Sequence, residues 1–239
     1  MGHDSLLKRI QFRYLGLVFA FTYRTQHRRL LGIKVGRLVR WTSLLLLGLA
    51  WQQNWGRPWL WLALLAVLWV QFAYWRADRA GYSKFVPDEA AVMPREDIDP
   101  LPADHRVRLL ASGVFSTTER EVRVLLRPAL YWQAPLGDHA VMVERRPGSY
   151  LYQFFDAANL IRVQSGRLLF GSSPHRTLAI TFKVRWGPQA AEAGQLFSFR
   201  RDAENDGRLP RRTIYLTFEN AQDHHLVWHN IMTDAPRTA

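Results

Sequence analysis

Near the end of the chain His224, His225 and His229 have the residue type and spacing that metal chemistry requires. His225 and His229 stand four apart, so a helix places both imidazoles on one face at the separation a helical zinc pair uses. Leu226, however, follows His225 where a zinc hydrolase carries its glutamate base. A third ligand would have to be folded in from His105, His139 or His175. The chain has no cysteine, which removes thiolate ligands, thiolate nucleophiles and disulfides together. Paired acids occur in Asp202-Ala-Glu204-Asn-Asp206, but between Gly and Pro, as in a solvated hairpin tip. There is no Gly-rich loop ending in Lys-Ser/Thr, no Gly-x-Gly-x-x-Gly and no Gly-x-Ser-x-Gly elbow. The expectation is a protein that is not an enzyme, with no catalytic residue, no metal ligand and no cofactor. The alternative is a metal-dependent enzyme built on the C-terminal histidine cluster.

The elements that must position any site begin with Pro58–Trp75, 18 residues without a charge. As a helix they span roughly 27 Å, close to the ~30 Å of bilayer hydrocarbon. Before them, Trp41–Trp51 has an apolar core of eleven residues, which reaches 17 if it runs from Leu38 to Asn54 with Arg40 snorkelling to the surface. Residues 38–75 are therefore expected to form a transmembrane helical hairpin, the alternative being that 41–51 only re-enters the bilayer. Aromatic rings prefer the interfaces, so Trp41, Tyr74 and Trp75 are expected as anchors on one side and Trp51, Trp55 and Trp59 on the other. Nine basic residues precede Trp41 against Asp4 alone, and Arg76, Arg79 and Lys84 follow Trp75. By the positive-inside rule this gives a multi-pass membrane protein with two helices and both termini cytoplasmic. Residues 1–37 form a basic segment whose apolar residues, Leu6, Leu7, Ile10, Leu17, Val18 and Phe21, recur at helical spacing. That pattern suits a helix lying in the headgroup layer or packed on a partner's membrane helices.

The formal charge of +12 on 239 residues is densest beside this hydrophobic stretch, where anionic headgroups attract each nearby Lys or Arg by ~1 kcal/mol. It points to a membrane surface and not to nucleic acid. Residues 76–104 are proline-rich and acidic and are expected to be a tether. From 105 to 239 the apolar period becomes two. Leu178, Ile180, Phe182 and Val184 alternate with polar residues, as do Ile214, Leu216 and Phe218, the mark of a sheet buried on one face. Seven to nine antiparallel strands are expected, closing into a barrel or a sandwich. Asn220, with Asp223 three residues on, is the expected N-cap of a final helix.

The strand Arg212-Thr-Ile-Tyr-Leu-Thr-Phe218 followed by Asn220-Ala-Gln-Asp-His-His-Leu-Val-Trp-His-Asn-Ile231 resembles the end of a pleckstrin-homology-like domain, in which a bent seven-stranded barrel is capped by a helix carrying a Trp. Trp228 matches that Trp, and Gly113-Val-Phe115 and Val122–Trp132 are similar to the first two strands. The fold class this gives is α+β, mainly β: an N-terminal membrane α-hairpin plus a pleckstrin-homology-like antiparallel β-barrel capped by a C-terminal helix. The resemblance implies binding. In lipid-binding members basic residues gather around the first strand pair, which here would be Arg108, Arg120 and Arg123 in contact with lipid or a partner, although Glu121 stands where such sites carry another base. The expected function is a membrane-anchored scaffold, an accessory subunit whose partners are the lipid bilayer and other membrane proteins. The alternative is a stand-alone sensor of anionic lipid headgroups.

Overall fold

A computed structural model of the chain describes residues 6–53, 56–88, 101, 105–116, 121–134, 137–184 and 211–234. In order, the elements are α1 (Leu6–His27), β1 (Arg29–Leu30), β2 (Ile33–Lys34), α2 (Val35–Gln52), α3 (Arg57–Ala80), β3 (Lys84–Pro87), β4 (Val107–Ser116), β5 (Glu121–Gln133), β6 (His139–Arg146), β7 (Ser149–Phe155), β8 (Leu160–Phe170), β9 (Ser173–Lys183), β10 (Arg211–Thr217) and α4 (Ala221–Asp234). They fall into two compact units. One comprises Met1–Lys84 with Leu169–Pro174, the other Phe85–Leu168 with His175–Ala239.

The first unit is helical. α1 buries Gly16, Phe19, Ala20, Thr22 and Thr25. Its other face turns Leu6, Leu7, Ile10, Tyr14, Leu17 and Phe21 outward. Two threonines are tolerated inside because their hydroxyls donate to carbonyls one turn back, Thr22 to Val18 and Thr25 to Phe21, each at 2.9 Å. α1 leads into a two-strand hairpin, β1–β2, whose turn residues Leu31 and Gly32 both have positive φ, 50° and 81°. α2 and α3 pack together as a helical pair. Pro58 sits in the first turn of α3, where the absent N–H costs nothing. α3 stops at Gly81, whose φ of 82° lies in the left-handed region that glycine enters freely.

The expected multi-pass membrane topology, with two crossing helices and both termini cytoplasmic, is overturned. Among the described residues only Arg57–Arg79 of α3 is long and apolar enough to span a bilayer. α2 has 18 residues, but Arg37 and Arg40 occupy its first two turns. Arg40 does not snorkel along its helix: its Nε donates to Gln71 Oε1 of α3 at 2.9 Å, and Gln71 Nε2 returns a bond to Arg40 O at 3.3 Å. The apolar remainder of α2 is then too short to cross.

The second unit is an open antiparallel sheet of eight strands in the order β3-β8-β9-β10-β4-β5-β6-β7. β4 pairs with β10 through Leu110–Ser112 and with β5 along its length. At its far end Ser116 also meets Tyr152 of β7. The expected closed barrel does not form. β3, in the stretch expected to be a tether, instead extends the β8 edge, with Asp88 N–H donating to Ser165 O at 3.1 Å. Ser165-Gly166, a dipeptide of the kind that often marks a turn, lies inside β8. A Cβ on Gly166 would stand 2.4 Å from Val86 O, so glycine is what lets β3 approach.

One face of the sheet forms the core. Leu178, Ile180, Phe182 and Val184 of β9 and its end are fully buried, together with Ile214 and Leu216 of β10, as their alternation requires. α4 covers this face with Val227, Trp228 and Ile231. Its N-cap is Asn220, whose Oδ1 accepts from Asp223 N–H at 2.7 Å while its Nδ2 donates to Asp223 Oδ2 at 2.9 Å. α4 is also tied to the sheet by polar groups under the core. The Tyr131 hydroxyl bonds Asn230 Oδ1 and lies 2.7 Å from His139 Nδ1, and Asn230 Nδ2 donates to Gln133 Oε1 at 2.8 Å.

Candidate functional site

The basic residues that open α2 are three apart: Lys34, Arg37 and Arg40. With Trp41 and Leu44 they follow one side of the helix, i, i+3, i+4 and i+7 from Arg37. The structure gathers them around a cavity of about 670 Å³ within the helical unit. The end of α1 contributes Gln26 and His27, β1 contributes Arg29, and α3 contributes Gln71 and Asp78, with Tyr82 just beyond it. Gly36 allows α2 to sit close: a Cβ there would stand 3.0 Å from the Tyr74 ring and 3.3 Å from the Gln26 amide carbon.

The electrostatics are one-sided. Arg29, Lys34, Arg37 and Arg40 face one carboxylate, Asp78, which accepts from Gln26 Nε2 at 3.3 Å. No ion pair among the described residues involves any of the four cations. Lys34 is the N-cap of α2, and no side chain caps that helix, so the positive end of its dipole also borders the cavity. His27 Nδ1 is 2.9 Å from Tyr23 O, and the rings of Tyr23, His27 and Tyr82 pack mutually at 4.2–5.6 Å between centroids. Burial, followed by the charge of Asp78, raises the pKa of the Tyr82 hydroxyl, so it stays a neutral hydrogen-bond donor. Trp41 and Leu44 give the cavity an apolar wall, and both are exposed. The arrangement can hold an anion and an apolar group beside it; it presents no nucleophile with an adjacent base.

The residues expected in contact with lipid or a partner on the sheet unit do not form such a cluster. Arg108 and Arg123 are both exposed, but Arg108 pairs with Leu130 and Arg123 with Val114. Six positions of β4, roughly 20 Å of strand, separate them. Arg120 lies outside the described residues. Glu121, the acid at odds with an anion site there, bonds the guanidinium of Arg212, which also donates to Gln153 Oε1 at 3.1 Å. Arg212 is buried.

Of the expected interface anchors, Trp41, Trp51, Trp59 and Trp75 are exposed. Trp55 lies outside the described residues. Tyr74 is only 1% exposed, its hydroxyl 2.7 Å from Thr25 Oγ1, so it joins α1 to α3 and meets no interface. The histidine cluster is divided by its surroundings. His224 is buried with Nε2 at 3.2 Å from Ser165 Oγ, while His225 and His229 stack on each other at 6.3 Å. No group of three His, Asp or Glu side chains among the described residues could hold a metal ion. Asp202, Glu204 and Asp206 lie outside the described residues.

The sequence alone does not reveal the basic cavity, because its cations serve equally well as markers of topology. The Lys34-Arg37-Arg40-Trp41-Leu44 spacing was the available signal. No family model, curated protein or solved structure matches this chain.

Proposed function

We propose that this chain is a membrane-associated, non-catalytic binding protein that serves as an accessory or scaffold subunit of a larger membrane assembly, its sheet unit being a pleckstrin-homology-like module. The observation that carries the reading is the outward surface of the helical unit. α1 shows an unbroken stripe of Leu6, Leu7, Ile10, Tyr14, Leu17 and Phe21. α2 shows Trp41, Leu45, Leu46, Leu49 and Trp51, and α3 shows Trp59, Trp61, Leu62, Leu65, Leu68, Phe72 and Trp75. Each large apolar side chain left in water forgoes about 1.5–3 kcal/mol, and soluble monomers rarely present such a surface on three neighbouring helices. Lipid, or the apolar helices of another membrane protein, removes that cost. The basic residues at one end of these helices suit an anionic headgroup layer.

The module reading draws on connectivity: a four-strand meander, β4–β7, then β8–β10, then a helix that buries Trp228 in the core. Two features depart from the family pattern, the open sheet and the added strand β3. Tyr131, Asn230 and Gln133, buried in this unit, are engaged with one another in a hydrogen-bonded chain, which favours a structural and binding role over chemistry.

Membrane fractionation tests the proposal. The full-length chain is expected to pellet with membranes, to resist an alkaline carbonate wash and to be released by mild detergent together with a stoichiometric partner. Recovery in the soluble fraction without detergent would overturn membrane association, and elution as a lone chain would overturn the accessory role.

A further inference from the structure

We infer that the basic cavity of the helical unit binds a phosphate-bearing anion, with its phosphate among Arg29, Lys34, Arg37 and Arg40 and its apolar part along Trp41 and Leu44. The inference rests on the membrane reading above and deepens it, because the ligand chemistry that fits best is an anionic phospholipid.

Four cations around one cavity repel one another, and Asp78 offsets a single charge. An anion between them removes that repulsion, and the start of α2, which no side chain caps, adds the partial positive charge of a helix N-terminus. The donor set is suited to phosphate: guanidinium forks donate paired N–H bonds to the oxygens of a tetrahedral anion, and Lys34 supplies a point charge. At about 670 Å³ the space is within the range of small-molecule sites, large enough for a headgroup and more than a bare phosphate needs. The apolar wall argues for the lipid as the source. Trp41 and Leu44 lead along the exposed side of α2 to Leu45 and Leu49, a path on which an acyl chain can lie. Asp78 and its partner Gln26 stand at the cavity as acceptors for a hydroxyl of the headgroup, a role that a second phosphate could not fill. Clusters of basic residues beside an apolar span or on an amphipathic helix are a known setting for such lipids.

The test uses the full-length chain in non-ionic detergent, presented with equal amounts of phosphatidylglycerol and phosphatidylcholine and read by native mass spectrometry. A parallel arm offers inorganic phosphate alone. Phosphatidylglycerol is expected to be retained over phosphatidylcholine. The pair Lys34→Gln and Arg37→Gln, both exposed side chains, is expected to lower that preference by roughly tenfold or more. Arg9→Gln with Arg13→Gln, which removes the same charge from exposed positions of α1 that do not line the cavity, is expected to leave it unchanged. Equal retention of both lipids, or an equal loss in the Arg9 and Arg13 pair, would overturn the inference. Binding of inorganic phosphate with the same dependence on Lys34 and Arg37, and no retention of lipid, would uphold the anion site and overturn the lipid as its source. A chain that never enters the membrane fraction fails at the earlier step and is seen there.

Discussion

At the scale of single residues, burial decides the charge state of two histidines in the sheet unit. His139 is 1% exposed, and burial lowers its pKa to about 4, the nearby Asp156 carboxylate opposing the shift only in part. His224 is lowered to about 4 as well, by burial first and then by the charges of His225 and Arg176. Both folded values lie below the ordinary 6.5, so the unfolded chain binds these protons more readily. The stability they allow is complete above about pH 6.5 and is lost as pH falls from there toward 4. For His139 the difference amounts to about 3 kcal/mol at the acid end. His139→Gln keeps a hydrogen-bonding partner for Tyr131 without a titrating group. Thermal unfolding followed by near-ultraviolet circular dichroism is expected to show a smaller fall in melting temperature between pH 7 and 4.5 for the variant than for the wild type. Equal falls would show that His139 is not the cause. This pairing could not be read from sequence, since Tyr131, His139 and Asn230 meet only once β5, β6 and α4 have assembled. Arg212 differs, because the period of two that singles out Ile214 and Leu216 places it on their inward face. What was lacking there was its partner Glu121, 91 residues away.

At the scale of elements, strands were legible where alternation was strict and a cap where its side chains were local. Leu178 to Val184, Ile214 to Phe218 and the Asn220 cap fall where their patterns place them. β3 was not legible: Lys84-Phe-Val-Pro87 is short, ends in proline and opens an acidic stretch, and its pairing depends on a glycine 79 positions after Pro87, a separation no local window spans. That glycine, Gly166, looks like a turn because glycine in a strand interior is uncommon, whereas its use here is close approach. A Cβ at Gly166 would stand 2.4 Å from Val86 O and 2.6 Å from the Phe85 ring. Gly166→Ala is therefore expected to displace β3 while leaving the central strands in place, at a cost of about 1–3 kcal/mol. Hydrogen exchange read by mass spectrometry checks this: amides of 84–88 should exchange faster, and those of β9 and β10 should not. Unchanged protection at 84–88 would mean that β3 tolerates the methyl group.

At the scale of the whole molecule, two attractions with different ranges act together. The chain carries +12 formal charges, and the helical unit shows large apolar side chains on three helices. The division into an apolar, basic part and a β-rich part was legible because both signals are local periods and local charge. The cavity was not, because Gln26, Arg29, Arg37, Gln71 and Tyr82 come from separate elements, and no sequence window joins them. The two attractions separate under salt. Apolar burial is barely weakened by ionic strength, whereas the Debye length falls from about 10 Å at 0.1 M to about 3 Å at 1 M and screens the attraction of basic side chains to anionic headgroups. Reconstituted full-length chain is therefore expected to stay with vesicles at both salt concentrations, while its preference for phosphatidylglycerol over phosphatidylcholine falls several-fold at the higher one. Co-sedimentation gives the first quantity and lipid analysis of the bound fraction the second. If the bound fraction fell in step with the preference, charge alone would be holding the chain at the surface, and the outward leucines and tryptophans would need another partner.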